Sequence, residues 1–394
     1  MQEMIDYKED ITKCSNCGLC QTVCPVYKIT KDECALSRGK FIILKGVLKN
    51  ELKLNKNIIK KIDICLNCNA CKEFCPSGIN AVEIFSTVKN SFNSSENFIN
   101  KFLYSQSTFN LKMNVIKLFI TIYRFLFLDK FIELSYRFLL KFGFIGKKIV
   151  FINSIIKINT KRKKISSNKV QNKKILFFEG CFNKYINPGS KNATLNILEE
   201  LGYEPLKLNL GCCGITNYYS GHFKEFQKQA NNIINKIPRD IEAIVCDCDS
   251  CLNVLKNYNK YFKDAEFIEK KAISLSEFLI INGYNKTSQK NHAITYHKPC
   301  HGDMSAEEMI KKLNNIAYKP IKHQSCCGFA GEFAFKYYKL SEEISKNKAE
   351  EILNTEAQII LTSCPSCIMG LQQGLIQKNE IKTVFNISEF LDKI

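Results

Sequence analysis

Twenty cysteines stand in a chain of 394 residues, and their spacing sorts eight of them into two like runs. Cys14, Cys17, Cys20 and Cys24 form the first run, followed by Pro25. Cys65, Cys68, Cys71 and Cys75 form the second, followed by Pro76. Three thiolates so closely spaced wrap one face of a cubane iron–sulfur cluster, and the fourth, ahead of its proline, turns away to the other cluster. The reading therefore crosses the runs. Cys14, Cys17, Cys20 and Cys75 hold one [4Fe–4S] cluster; Cys65, Cys68, Cys71 and Cys24 hold the second. Two zinc knuckles are the competing reading, but zinc sites pair two C-x2-C units rather than four cysteines in such a run. Clusters of this kind carry single electrons, so this part reads as a wire.

Ten further cysteines repeat with a period near 115 residues. Cys181, Cys212, Cys213, Cys248 and Cys251 make one set; Cys300, Cys326, Cys327, Cys364 and Cys367 make the other. Ser-Glu-Phe-Leu also recurs, at Ser276 and Ser388. Such a period is too long for a solenoid and marks two related domains. Adjacent thiolates beside a glycine, as in Cys212-Cys213-Gly214 and Cys326-Cys327-Gly328, grip a single small ion poorly but can bridge or cap two irons of a cluster. Each set has one cysteine more than a cubane needs.

The elements that must position these thiolates alternate between strand and helix. Strands are expected at Lys174–Glu179, Pro205–Leu210 and Glu242–Cys246, and again at His292–Tyr296, Lys319–His323 and Ala357–Thr362. Ala193–Leu201 and Ser341–Leu353 read as amphipathic helices. Strands alternating with helices give α/β units, whose ligands sit beyond the carboxyl ends of the strands. Helix N-termini there stabilise thiolates. The fold class is thus mixed α+β and α/β: a helical two-cluster domain at 1–90, a basic aromatic helical segment and linker at 91–172, and tandem α/β domains at 173–285 and 286–394.

The order of two ferredoxin-type motifs followed by two CCG modules resembles the iron–sulfur subunits of glycolate oxidase and of anaerobic glycerol-3-phosphate dehydrogenase, and the catalytic subunit of heterodisulfide reductase. The glycolate oxidase type is the nearest, on Asp32-Glu-Cys-Ala-Leu-Ser-Arg-Gly-Lys, Cys75-Pro-Ser-Gly, Glu179-Gly-Cys181, Tyr296-His-Lys-Pro-Cys300 and Cys327-Gly-Phe-Ala-Gly. That resemblance implies a flavoprotein partner which carries the FAD and oxidises a 2-hydroxy acid, with this subunit passing electrons towards quinone. The final C-x-x-C is often degenerate in the glycolate oxidase type, whereas Cys248, Cys251, Cys364 and Cys367 are all present here. In this the chain is similar to heterodisulfide reductase, whose five-cysteine sets bind non-cubane [4Fe–4S] clusters. The likeness extends one or two further clusters, cubane or non-cubane, to the sets here. Catalysis at a CCG cluster is the alternative function, and a cluster-bearing scaffold or sensor a third.

Cys34 and Cys246 are left over and read as buried or free thiols. His297 and His301 flank Cys300; they could tune the site, but hydrogen-bonded structural histidines are the favoured reading. Arg38 reads equally as a residue facing the first cluster or as a solvated one. No G-x-G-x-x-G or G-x-x-x-x-G-K-[ST] fingerprint is found, so flavin binding by this chain is not expected.

The net charge is +19. Most of it falls on residues 97–174, which carry 17 Lys/Arg against two Asp/Glu and no cysteine. Residues 111–128 read as a helix with Lys117, Thr121 and Arg124 on a narrow face, and 129–142 repeat the pattern with Lys130, Glu133, Arg137 and Lys141. The wide faces carry Phe119, Phe125, Phe127, Phe131, Phe138 and Leu139. No uncharged run approaches the roughly 20 residues of a membrane span. A broad apolar face with lysine edges suits a membrane surface, with packing on a partner as the alternative. Nucleic acid is not expected as a partner. With no basic stretch leading into an apolar one at the start, the expectation is a cytoplasmic protein, peripheral on the inner face of the membrane if that helix docks there.

Overall fold

The computed structural model describes residues 5–93, 106–125, 143–156, 161–163 and 173–394, with single positions at 132, 135, 139 and 140. The expected helix at 129–142 and most of the basic run after Lys161 lie outside the described residues.

The first part is helical. Each cysteine run bends through a pair of left-handed residues around its second cysteine: Asn16 and Gly18 flank Cys17, and Asn67 and Asn69 flank Cys68. Asparagine tolerates that conformation better than most residues. The runs are held over a core of Ile11, Phe41, Leu44, Ile62, Ile84 and Phe85, supplied largely by helices Ser37–Leu48 and Ala81–Asn93.

The second part contains two parallel sheets. β1 (Ile175–Phe178), β2 (Ala243–Cys246) and β3 (Ala272–Ser274) lie side by side in that order. β4 (Thr287–Tyr296), β5 (Asn314–Tyr318), β6 (Ile359–Thr362) and β7 (Val384–Asn386) form the other sheet, in the order β5-β4-β6-β7. Every strand pair in both sheets is parallel. Short strands buried on both faces are expected of such sheets. β1 shows it: Ile175 and Phe177 face one core, Leu176 and Phe178 the other.

Three cores follow. A central one lies between the sheets and joins Phe177 and Val245 to Ile294, Tyr296 and Leu361. Two outer cores carry the cysteines: Cys213 and Cys251 in one, Cys326, Cys327, Cys364 and Cys367 in the other. The second outer core also takes in Val26, Ala35 and Leu66 of the helical part. The helical part is thereby packed on the second sheet unit.

Four of the expected strands form, with trimmed or extended ends. Pro205–Leu210 does not: only Leu206 bridges to β1, through its N–H to the Ile175 carbonyl at 2.8 Å. Lys319–His323 does not either. The strand lies just before it, at β5, and Pro320 has no N–H to continue the ladder. β3 and β7 were not expected. Each is three residues long and leads into a helix carrying one Ser-Glu-Phe-Leu copy, Leu275–Ile281 or Ile387–Leu391.

The repeats interlock. The Asp247 carboxylate, just past β2, accepts from Ser190 Oγ (2.6 Å) and Thr194 Oγ1 (2.9 Å) of its own unit and from Ser388 Oγ (2.8 Å) of the other. Asp249 in turn accepts from Ser363 Oγ at 2.5 Å. Buried carboxylates hydrogen-bonded across a domain boundary fix the two units relative to one another.

Candidate metal centres

All twenty cysteines are free thiols with no disulfide among the described residues. Two small cavities in the helical part collect eight of them. One is lined by Cys14, Cys17, Cys20 and Cys75, with Arg38 at its edge. The other is lined by Cys24, Cys65, Cys68 and Cys71, with Lys40 and Phe85. The fourth cysteine of each run therefore lines the cavity of the opposite run. Cys71 and Ser37 line both, so the cavities share a wall. Four thiols around one space are the donor set of a [4Fe–4S] cluster. Burial pushes the Cys24 thiol up to about 11 and raises Cys71 as well, so loading with metal must displace protons.

In the tandem units the C-x-x-C pairs sit at helix starts. Cys248 precedes helix Asp249–Lys256, which contains Cys251; Cys364 precedes Pro365–Gln377, which contains Cys367. Cys181 lies in the first turn of Gly180–Tyr185. The helix dipole at these positions works towards thiolate, yet neighbouring thiols and burial push Cys181, Cys248, Cys251 and Cys367 up, and of the five only Cys364 is lowered, by its contacts with Cys248 and Cys367. The adjacent pairs sit instead in loops, each turned by its glycine. Gly214 has φ 83°, and an added Cβ would meet Gln229 Oε1 at 2.8 Å. Gly328 has φ 84° and would meet Ser345 Oγ at 2.8 Å. Only glycine fits both the conformation and the space.

Each set of five closes on itself. Cys181 contacts Cys212, and Cys213 contacts Cys251, which contacts Cys248. In the second set Cys300 contacts Cys326, and Cys327 contacts Cys367, which contacts Cys364. Three further contacts cross between groups. Cys248 of the first meets Cys364 of the second. Cys68 of the helical part meets Cys300 and Cys326 of the second. The four groups thus stand in line: the Cys14 group, the Cys68 group, the second five-cysteine set, then the first.

A cavity of about 120 Å³ opens at the three-way junction, lined among others by Cys68, Cys300, Cys326, Cys327, Cys364 and His301. His301 is hydrogen-bonded, as expected: its Nε2 lies 2.9 Å from the Asn67 carbonyl and 3.3 Å from the Tyr219 hydroxyl, tying three parts together. His297 departs from expectation. It is fully buried, neither ring nitrogen has a hydrogen-bond partner among the described residues, and burial holds its imidazolium down to about 3. Arg38 binds Glu33 (2.7 Å) and lines the first cavity. Of the two remaining thiols, Cys246 is buried at the end of β2 and Cys34 is half-buried.

Lys40 and Ser250 were missed from sequence. Lys40 is 1% exposed, donates to the Ile64 carbonyl at 2.6 Å and lies over the Phe85 ring beside the second cavity. Nothing in the pattern separates it from a surface lysine; the Arg-Gly-Lys context was the one clue. Ser250 Oγ lies 3.3 Å from Cys364 Sγ, inside the first C-x-x-C and so reachable from the motif alone.

Comparison with known families places a 4Fe-4S dicluster domain on residues 10–79 and a cysteine-rich domain of the CCG type on 175–256 and again on 294–372. The glycolate oxidase iron-sulfur subunit of Escherichia coli (strain K12) is 24% identical over 377 residues, covering 90% of this chain and 88% of the relative. The probable glycolate oxidase iron-sulfur subunit of Bacillus subtilis (strain 168) is 22% identical over 400 residues, covering 93% and 89%. Lactate utilization protein A 2 of Bacillus cereus (strain Q1) is 29% identical over 240 residues, covering 56% of this chain and 98% of its own length.

Proposed function

We propose that this chain, a 4Fe-4S dicluster domain joined to two cysteine-rich CCG domains, is the electron-transfer subunit of a flavin-linked 2-hydroxy-acid dehydrogenase of the glycolate or lactate type. The observation that carries the reading is the line of cysteine groups, joined at Cys68–Cys300 and Cys248–Cys364. A wire needs such contiguity; four isolated sites would not. Iron–sulfur clusters, where bound, supply one-electron transfer. Cys14, Cys17, Cys20 and Cys75 would hold the first, and Cys24, Cys65, Cys68 and Cys71 the second. The two five-cysteine sets would hold further iron–sulfur centres.

The chain's own residues set direction and insulation. Cys17 is exposed while most cysteines of the CCG sets are buried, so the Cys17 edge is where a partner's redox group approaches. Oxidation of a 2-hydroxy acid removes a hydride, and a flavin is a usual acceptor. The flavin belongs to a partner flavoprotein in this reading, with quinone as the eventual acceptor.

Peripheral attachment to a membrane is part of the proposal. Helix Gln106–Phe125 exposes Leu111, Val115, Leu118, Phe119 and Ile122, with exposed Lys117 and Thr121 beside them. Among the described residues no helix is long and apolar enough to cross a membrane. An apolar face edged with basic residues fits an anionic lipid surface.

The experiment mixes the anaerobically purified chain with the 2-hydroxy-acid-oxidising flavoprotein of the same organism. Glycolate or lactate should reduce the chain only when the flavoprotein is present. A second reading, disulfide reduction at the second CCG set, is favoured by the cavity at the junction. It predicts disulfide turnover by the isolated chain from reduced viologen, which would displace the wire reading.

A further inference from the structure

The two five-cysteine sets match cysteine for cysteine, yet one neighbour differs. Three residues before Cys300 stands His297; three residues before Cys181 stands Phe178. The structure keeps the correspondence. Phe178, at the end of β1, packs in one core with Cys213 and Cys251. His297 follows β4 and brings a ring nitrogen within 4.8 Å of Cys327 Sγ and Cys367 Sγ, the counterparts of Cys213 and Cys251. Its backbone N–H donates to the Leu361 carbonyl of β6 at 2.9 Å, so the sheet fixes where the ring starts.

A neutral imidazole carries one N–H and one lone pair. Burying a donor without an acceptor forfeits the hydrogen bond it made with water and gains none in return. His297 is 0% exposed, and both of its nitrogens lack partners among the described residues. Phenylalanine at the same place in the other unit fills the space with no polar atom to satisfy. A buried, unpartnered imidazole aimed at two thiols therefore needs an acceptor at the thiols. Five cysteines already outnumber the ligands of a cubane, so the site has no shortage of ligands that the histidine must make good.

We propose that His297 donates its ring N–H to a sulfur of the centre held by the second CCG set, and so makes that set easier to reduce than the first. The inference rests on the reading that the CCG sets hold iron–sulfur centres. Hydrogen bonds to cluster sulfur are among the terms that set reduction potential, because they stabilise the more negative state. The consequence is asymmetry in the line. The second set, beside Cys68, holds an electron more firmly than the first set, and works as the collecting point at the junction.

The test is a potentiometric titration followed by EPR on the full-length, anaerobically purified chain. In His297→Phe, the reduced-to-oxidised ratio of the second set at fixed potential should fall about tenfold, a shift of about 59 mV for one electron. His297→Gln, which keeps a donor, should recover part of the shift. The reciprocal Phe178→His should raise the first set, and the signals of the Cys14 and Cys68 groups should stay in place throughout. Wild-type protein labelled with ¹⁵N-histidine supplies a check that needs no variant: a weak nitrogen coupling to the second set, lost in His297→Phe, is expected. A strong coupling of direct iron ligation would overturn the donor role. So would an intact centre with unchanged potential in His297→Phe. A wild-type second set without iron overturns both this inference and the reading beneath it, and iron analysis tells that outcome from the others.

Discussion

The two CCG units have the same cysteines and different surroundings. In the first, an outer core of Leu176, Phe178, Phe226 and Leu255 encloses Cys213 and Cys251 with residues of its own unit, and the helical part meets that unit through Asn90 Oδ1, which accepts from the Phe223 N–H at 3.3 Å. The second is a junction. Its outer core admits Val26, Ala35 and Leu66 from the helical part, and its Cys300 and Cys326 reach Cys68. Duplication supplies two equivalent metal sets, and only docking makes one of them the connector. A cysteine count or a motif match is blind to that difference, because it is carried by apolar side chains of the helical part and by the reach of Cys68 to Cys300 and Cys326.

The largest effects should come from breaking the connector. Cys327→Ser should remove the second set's centre, about four iron atoms, and stop electrons from the Cys68 group reaching the first set. Cys213→Ser should remove as much iron but leave reduction up to the second set intact. Iron analysis with EPR after partial reduction checks the pair; identical electron distributions in the two variants would show that neither set is the connector.

Next comes the crossed assignment within the helical part. Cys24→Ser should abolish the signal that Cys68→Ser also abolishes and spare the one lost in Cys17→Ser. Loss of the Cys17-type signal instead would uncross the runs and detach Cys24 from the group that meets the second unit.

Leu66 is 3% exposed in the shared core. Leu66→Ala should destabilise the docked arrangement by about 2–5 kcal/mol, seen as a lower midpoint in denaturant with metal-site cysteines unchanged. Removing the buried charge of Lys40 should act less. Lys40→Met should make the Cys68 group harder to reduce by roughly 1–2 kcal/mol, taking an effective interior dielectric near 20. The Cys14 group, with no buried lysine lining its cavity, should move less. Smallest of all, Lys117→Ala should weaken sedimentation with anionic vesicles by about 1 kcal/mol. No sedimentation by the wild type would assign the exposed helix to a protein partner instead.

Much of this was legible in the residues. The crossed cavities follow from the C-x2-C-x2-C-x3-C-P spacing, and the tandem units from the repeat of Cys212-Cys213 and Cys326-Cys327. Sequence reasoning failed where the signal is short or non-local. β3 and β7 are three-residue strands, too brief for an alternating pattern, although the Ser-Glu-Phe-Leu repeat marked the helices they lead into. Lys319–His323 has strand-like composition, but Pro320 ends the ladder. The Asp247–Ser388 and Cys248–Cys364 contacts join residues over a hundred positions apart, and no local pattern encodes them. The position of His297 beside Cys300 suggests a hydrogen-bonded ring; only its burial, with no partner for either ring nitrogen among the described residues, shows otherwise.

In the proposed function these cysteine groups hold iron and form one wire. Its most direct test is iron, sulfide and zinc analysis of the anaerobically purified full-length chain. At least about eight iron atoms per chain are expected, at about four per cluster in the helical part, with matching sulfide, further iron from the CCG sets and negligible zinc. Zinc in place of iron at the Cys14 and Cys65 runs, without sulfide, would contradict it.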